Sequence, residues 1–225
     1  MKNHPAGKST SLSVILHLFL GFALLMAFSG CGDDEEPYQP PEDPPVEYRS
    51  VGELVEGFES AYEGRDLKAY LNCLDPDFRF ILHPDTQARY PDLGPSLDFS
   101  QEDRIHGRMF SGEAVADPVG NPQPGVQGIA FNKLLALDSM QPTDDQNNFP
   151  GALWAPFDIE LLIDCGPAFT TYRAEGRLKI YVRRYIRMSG GKEVEYYLLA
   201  GMVDMTDSGK GVENTPWGLI KVFYR

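Results

Sequence analysis

Cysteine is scarce in this chain. Only Cys31, Cys73 and Cys165 occur among 225 residues, too few for a disulfide framework. An oxidising compartment would permit a bond between Cys73 and Cys165. Cys73 falls beside Leu71 and Leu74, however, and Cys165 ends an apolar run, so two buried free thiols are expected. Histidine is short too. Of four, only His83 and His106 lie beyond residue 30, and two unrelated histidines do not build a zinc site. Positive charge is the third shortage. Lys and Arg number 20 against 33 Asp and Glu, a formal net charge of −13. That leaves no broad basic field for phosphate backbones and excludes a nucleic-acid partner. No Walker loop, dinucleotide fingerprint, repeat or Cys/His cluster occurs, so neither a metal nor a cofactor is expected.

What is present begins with an address. Lys2 and Lys8 precede an apolar run, Leu12 to Phe28, and Phe28-Ser29-Gly30 lead into Cys31. This resembles a bacterial lipoprotein signal with its lipobox, although Leu is usual where Phe28 stands. The resemblance implies cleavage before Cys31, a diacylglycerol on its thiol, and a fatty acyl chain such as palmitate. Residues 1–30 are then a signal peptide and no part of the fold. A non-cleaved anchor is the alternative. The run is near the lower limit of about 17 residues for a span, and it ends in small residues without a basic flank. The implied location is the cell envelope, with the domain outside the cytoplasm and tethered by lipid to a bacterial membrane.

Residues 31–49 read as a tether. Asp33-Asp34-Glu35-Glu36 is followed by Pro37, Pro40, Pro41, Pro44 and Pro45, with Glu42 and Asp43 between them. Like charges repel and prolines favour extended polyproline II, so fifteen such residues span at most roughly 45 Å. An acidic run after a lipidated cysteine also resembles the surface-export signal of some Gram-negative lipoproteins; an ordinary acidic spacer explains it equally well.

Residues 50–225 carry the folded domain. Ser50 and Glu53 form a capping box, and Val51, Leu54, Val55, Phe58 and Tyr62 recur at helical spacing. Gly64 ends this helix. Asp66 caps a second helix bearing Leu67, Tyr70 and Leu71, and Phe78–Leu82 reads as a strand. Ser100 with Asp103 caps a third helix bearing Ile105, Met109 and Phe110. Strands are expected over 126–138, 156–165, 171–188, 194–205 and 217–224, with a tight turn at Gly190-Gly191. Along 171–188, Ala174, Leu178, Ile180 and Val182 alternate with Arg173, Arg177, Lys179, Tyr181 and Arg183. This implies an antiparallel sheet with one packed face and an α+β domain.

The run Tyr62, Gly64-Arg65-Asp66, a second helix and Leu74-Asp75-Pro76-Asp77-Phe78 resembles the opening of nuclear transport factor 2-like domains. These include SnoaL-like polyketide cyclases and ketosteroid isomerase. The resemblance covers about residues 50–225 and implies a cone: three N-terminal helices on a curved, mostly antiparallel sheet, with a pocket at the open end. The fold hosts enzymes and non-enzymes alike. The family's catalytic acid has no matched position here.

A two-residue hairpin loop sets Ile180 opposite Gly201, Val182 opposite Leu199 and Arg184 opposite Tyr197. The inward face is then mostly aliphatic, and its polar exceptions are Arg184, Tyr197 and Glu195. Arg184 either holds an anionic ligand at the pocket mouth or packs its stem and leaves its head in water. Tyr62 could bond a ligand or serve as plain core. His106 could be a base in the cone, but exposure on its helix is expected. His83 in Leu82-His83-Pro84-Asp85 reads as a turn. The same register puts Tyr181, Tyr185, Tyr196, Leu198 and Met202 on the outer face, an aromatic patch fit for a homodimer, unless loop 141–151 or the tether covers it. The function expected is an anchored lipoprotein binding a small apolar or anionic ligand, or a protein, without catalysis. The alternatives are a SnoaL-like lyase, isomerase or hydrolase acting on a small apolar molecule, and an assembly protein using the outer sheet face. A buried, perturbed acid or histidine in the cone is the feature that would favour an enzyme.

Overall fold

The computed structural model describes residues 47–169, 171–206 and 215–225. The leader, Cys31 and the tether as far as residue 46 lie outside them. Helix α1 spans Val51–Glu63. The Ser50 hydroxyl accepts the Glu53 N–H at 3.1 Å, while the Glu53 carboxylate accepts that of Arg49 at 2.7 Å. Leu54, Phe58, Ala61 and Tyr62 form its buried stripe. Asp66 caps α2, Leu67–Asn72, through the Ala69 N–H. Strand β1, Leu74–Ile81, is followed by a short helix α3, Pro84–Arg89, where only a loop was expected. The His83 ring caps α3 by accepting the Asp85 N–H at 3.1 Å. After β2, Ser96–Asp98, helix α4 runs Phe99–Ser111. Its capping box is Asp98 with Gln101, two residues earlier than Ser100 and Asp103.

The small strands β3 (Val115–Ala116) and β4 (Pro122–Gln123) form a separate ribbon. The main sheet continues with β5 (Gly128–Ala136), β6 (Gln141–Pro142), β7 (Leu153–Asp164), β8 (Tyr172–Ser189) and β9 (Lys192–Thr206). Its order is β2-β1-β9-β8-β7-β5, with β6 on β7, and every pairing is antiparallel except β1 with β9. On β7, Phe157, Ile159, Leu161 and Ile163 are all buried, as alternation requires. The fold is thus α+β, a curved and mostly antiparallel sheet carrying helices on one face, as the cone implied.

Two expectations fail for identifiable reasons. Residues 217–224 are no closing strand; Trp217–Phe223 is helix α5. Periodicity cannot separate a short apolar run in a strand from one in a buried helix. The helix is decided by capping at a distance: the buried Asp204 carboxylate accepts the Gly218 N–H at 2.7 Å. The β8–β9 register is also shifted. Val182–Leu199, Arg183–Leu198, Arg184–Tyr197 and Tyr185–Tyr196 pair as expected, but a bulge then puts Tyr181 opposite Gly201 and Ile180 opposite Met202. One extra residue on β9 reverses which face each later side chain occupies. Met202 therefore lies in the core and not on the outer face.

The proposed outer patch is not bare. Phe149, Ala152, Tyr181 and Ala200 form a second buried cluster. The Phe149 ring stacks on Tyr181 with centroids 4.0 Å apart. Gly201 permits this, because a Cβ there would come within 2.0 Å of the Phe149 ring. The loop after β6 thus covers the face. Tyr185 and Tyr196 stack at 5.4 Å and stay half-buried, with the Tyr185 hydroxyl donating to Asp75 at 2.6 Å; Leu198 is buried. Tyr48, assigned to the tether, is also buried and bonds the Cys73 thiol at 3.2 Å, so the packed domain begins before residue 50. Cys73 and Cys165 are free and buried.

Candidate functional site

Inside the cone stands a cluster of polar side chains wholly removed from water. On α4, Glu102, Ile105, His106, Met109 and Phe110 recur at spacings of three and four, so all point inward. Glu102 and His106 therefore share the apolar face, contrary to the expected exposure of His106. Helix α1 supplies Tyr62, α2 supplies Tyr70, and α5 supplies Trp217 and Lys221 one turn apart. All six are buried. The Lys221 ammonium donates to both Glu102 carboxylate oxygens, at 2.9 and 2.8 Å, and the Tyr70 hydroxyl donates to one of them at 2.7 Å. The ammonium also stands 3.8 Å from the centre of the Phe80 ring, a cation–π contact.

The protonation states follow from these neighbours. His106 Nδ1 faces the Glu102 carbonyl at 2.8 Å and the Glu102 carboxylate at 3.2 Å. Both accept only, so the imidazole proton sits on Nδ1. Nε2 then offers its lone pair to the Tyr62 hydroxyl, 3.2 Å away, while the Tyr62 oxygen accepts the Trp217 indole N–H at 2.9 Å. Burial holds the His106 pKa well below its usual value, and the Lys221 charge adds to this. Burial also lowers the Lys221 pKa, against the opposing pull of Glu102. Tyr62 and Tyr70 are raised far above the phenolic range, chiefly by burial. The site is thus a neutral imidazole, a carboxylate–ammonium pair and two undissociated phenols.

A pH dependence follows from His106. In the unfolded chain it takes a proton near pH 6.5, but in the fold it resists doing so. Stability should therefore fall as pH drops below about 6.5, by up to about 1.4 kcal/mol per pH unit for this one proton. Urea unfolding at pH 7.5 and 5.5 measures the slope. His106→Gln should lower the difference between them by about one proton's worth; an unchanged difference would place the titration elsewhere.

Chemically, a neutral imidazole beside a phenol is an acid–base couple. Here its capacity is already used. Each of the named groups in the network bonds another member or the adjacent backbone, and aromatic rings fill the space around them. Tyr62 alone has Phe58, Tyr70, His106, Phe110, Phe131 and Trp217 with centroids 5.3–5.6 Å away.

The other sequence candidates lie apart. Arg184 is exposed at the β8–β9 hairpin and sits 3.4 Å from Glu195, its head in water. Tyr197 packs on the core rim, and its backbone N–H bonds the Tyr48 carbonyl. His83 lies apart too, capping helix α3 where a turn was expected. Of the expected pocket groups, the fold brings together Tyr62 and His106, with Tyr70, which could likewise have bonded a ligand or served as plain core. Glu102, Trp217 and Lys221 were missed as site residues. The shared face of Glu102 and His106 was readable from their spacing; Lys221 was not, since its run was taken for a strand.

Open cavities on the surface of the described residues include the following three. One of about 560 Å³ is lined by Gln101, Arg104, Gly107, Arg108, Pro118 and Arg225. Another, about 520 Å³, adjoins it and shares Gly107 and Arg108. The third, about 410 Å³, lies between β1 and the Asn147-Asn148 loop. None of these three is lined by a member of the buried network. Among the described residues no group of acids, histidines and cysteines is placed to hold a metal, and no helix is long and apolar enough to cross a membrane.

No protein-family model and no curated protein matches the chain. Among solved structures it is similar to a Novosphingobium aromaticivorans protein named provisionally as an aromatic ring hydroxylase. Identity is 13%, coverage 82% of this chain and 99% of that one, and the TM-score 0.46. It is also similar to AusH from Aspergillus nidulans, at 10% identity, with 72% and 88% covered and a TM-score of 0.38. Neither likeness carries an argument about activity.

Proposed function

We propose that the chain is a lipid-anchored protein of the bacterial cell envelope whose domain works by binding at its surface and not by turnover in its interior. The anchor reading rests on the leader and small residues before Cys31. The non-catalytic reading rests on one observation: the network of Glu102, His106, Tyr62, Tyr70, Trp217 and Lys221 is internally bonded and sealed by rings. A catalytic pair needs a substrate atom within hydrogen-bond reach. Labelled palmitate should enter the protein in bacteria, and Cys31→Ala should abolish it; labelling that survives the change defeats the anchor.

A second reading is supported by the same cluster. A neutral, buried histidine against a phenol in an apolar cone is the feature sought for a SnoaL-like enzyme. It requires the aromatic packing to open for a small apolar substrate. Turnover of such a compound that is lost in His106→Gln, with the far-ultraviolet circular dichroism unchanged, would establish the enzyme and overturn the binding reading.

A further inference from the structure

We infer that the groove beside α4 is a binding site for a multivalent oxyanion, carried on phosphate or carboxylate groups. The inference deepens the surface-binding reading and rests on it. Gln101, Arg104, Arg108 and Ser111 fall at spacings of three and four on α4, the face opposite Glu102 and His106. Arg225 closes the groove from beyond α5, its main-chain oxygen accepting an Arg108 N–H at 2.5 Å. Pro118 forms the far wall, on a loop pinned by Asp117, whose carboxylate accepts the Val119 and Asn121 N–H groups.

Two independent observations make this more than a charged patch. The first is that the arginines are unspent. The chain has a net charge of −13, and its buried and half-buried cations Lys221, Arg183 and Arg173 stand beside carboxylates, whereas Arg104, Arg108 and Arg225 are exposed. Yet Arg104 and Arg225 carry no ion pair with an acidic side chain among the described residues, and Arg108 donates only to the main-chain oxygen of Arg225. Glu113 is the one carboxylate lining the adjoining cavity, and none lines the groove itself. A guanidinium left free of acids offers paired N–H groups in the geometry that carboxylate and phosphate accept.

The second is Gly107, at the middle of α4 on the groove floor. Mid-helix glycine weakens a helix relative to alanine. Packing does not require it: a Cβ there would meet only Leu67 Cδ2, at 3.8 Å, an ordinary contact. The residue's effect is to keep the floor open between Arg104 and Arg108. The cavity, about 560 Å³, is in the range of small-ligand sites.

The test is calorimetric titration of the full chain in detergent with sodium pyrophosphate and, separately, with citrate. At least one should bind saturably at about 1 mM or tighter in low salt, and weaken as salt rises; which one does so distinguishes phosphate from carboxylate. Arg104→Gln and Arg108→Gln should each weaken it at least tenfold. Gly107→Leu should do the same by filling the floor with every charge retained. Arg184→Gln, an exposed arginine elsewhere, should change nothing. The site is overturned if neither anion binds, or if affinity survives both Arg104→Gln and Gly107→Leu. Turnover depending on His106 would instead defeat the binding reading and leave the groove's affinity for these anions as measured.

Discussion

Glu102→Ala should destabilise the domain by about 3–5 kcal/mol, the usual cost of removing one partner from a buried ion pair. The Lys221 amine, 1% exposed, would be left with no carboxylate partner, and the Tyr70 hydroxyl and His106 Nδ1 would each lose an acceptor. For a domain of this size that is a fall in melting temperature of roughly 10 °C. The informative comparison is the double variant Glu102→Gln with Lys221→Met. The amide carbonyl still accepts from Tyr70, the buried charge is gone, and Met matches the lysine stem in length. Stability should return to within about 1–2 kcal/mol of the parent, since uncharged replacements of buried pairs are often neutral or better. Strictly additive losses would show that the two residues do not act as a pair in the fold.

Phe149→Ala should cost about 3 kcal/mol and change the surface as well. Phe149 is fully buried on the outer side of the sheet, where it stacks on Tyr181 and covers Gly201. Asp144 helps hold the loop, accepting from the Tyr181 hydroxyl at 2.8 Å and pairing with Lys179. Without the ring, Tyr181 and Trp154 become an exposed aromatic strip. Light scattering at about 100 μM should then show association beyond that of the parent, as exposed apolar patches promote. A variant with unchanged stability and scattering would mean that the loop leaves Phe149 free of the sheet in solution.

The sequence made some of this architecture readable and concealed the rest for physical reasons. Local rules served well wherever chemistry acts over a few residues. Ser50 caps α1, Asp66 caps α2, and Gly190-Gly191 turns the long hairpin with four pairs of its register as expected. What escaped depended on residues far apart in the chain. The bulge at Tyr181/Val182 has no signature in β8 itself. The state of 217–223 depends on Asp204 accepting the Gly218 N–H. The interior site was half legible. Tyr62 and His106 were named, and Glu102 lies one helical turn before His106. Lys221 sits in an apolar run, where a charge suggests an edge and not a centre.

The placement of Trp217 and Lys221 has a consequence for how the chain is made. Both groups that complete the interior belong to α5, and Lys221 comes 119 residues after the Glu102 side chain that it neutralises. A growing chain that has reached only β9 holds Glu102 without its cation and Tyr62 without the indole proton it accepts. Such an intermediate has every reason to keep that side of α4 in water. The cone can close only after residues 217–224 have emerged, so the domain should mature late and in one step.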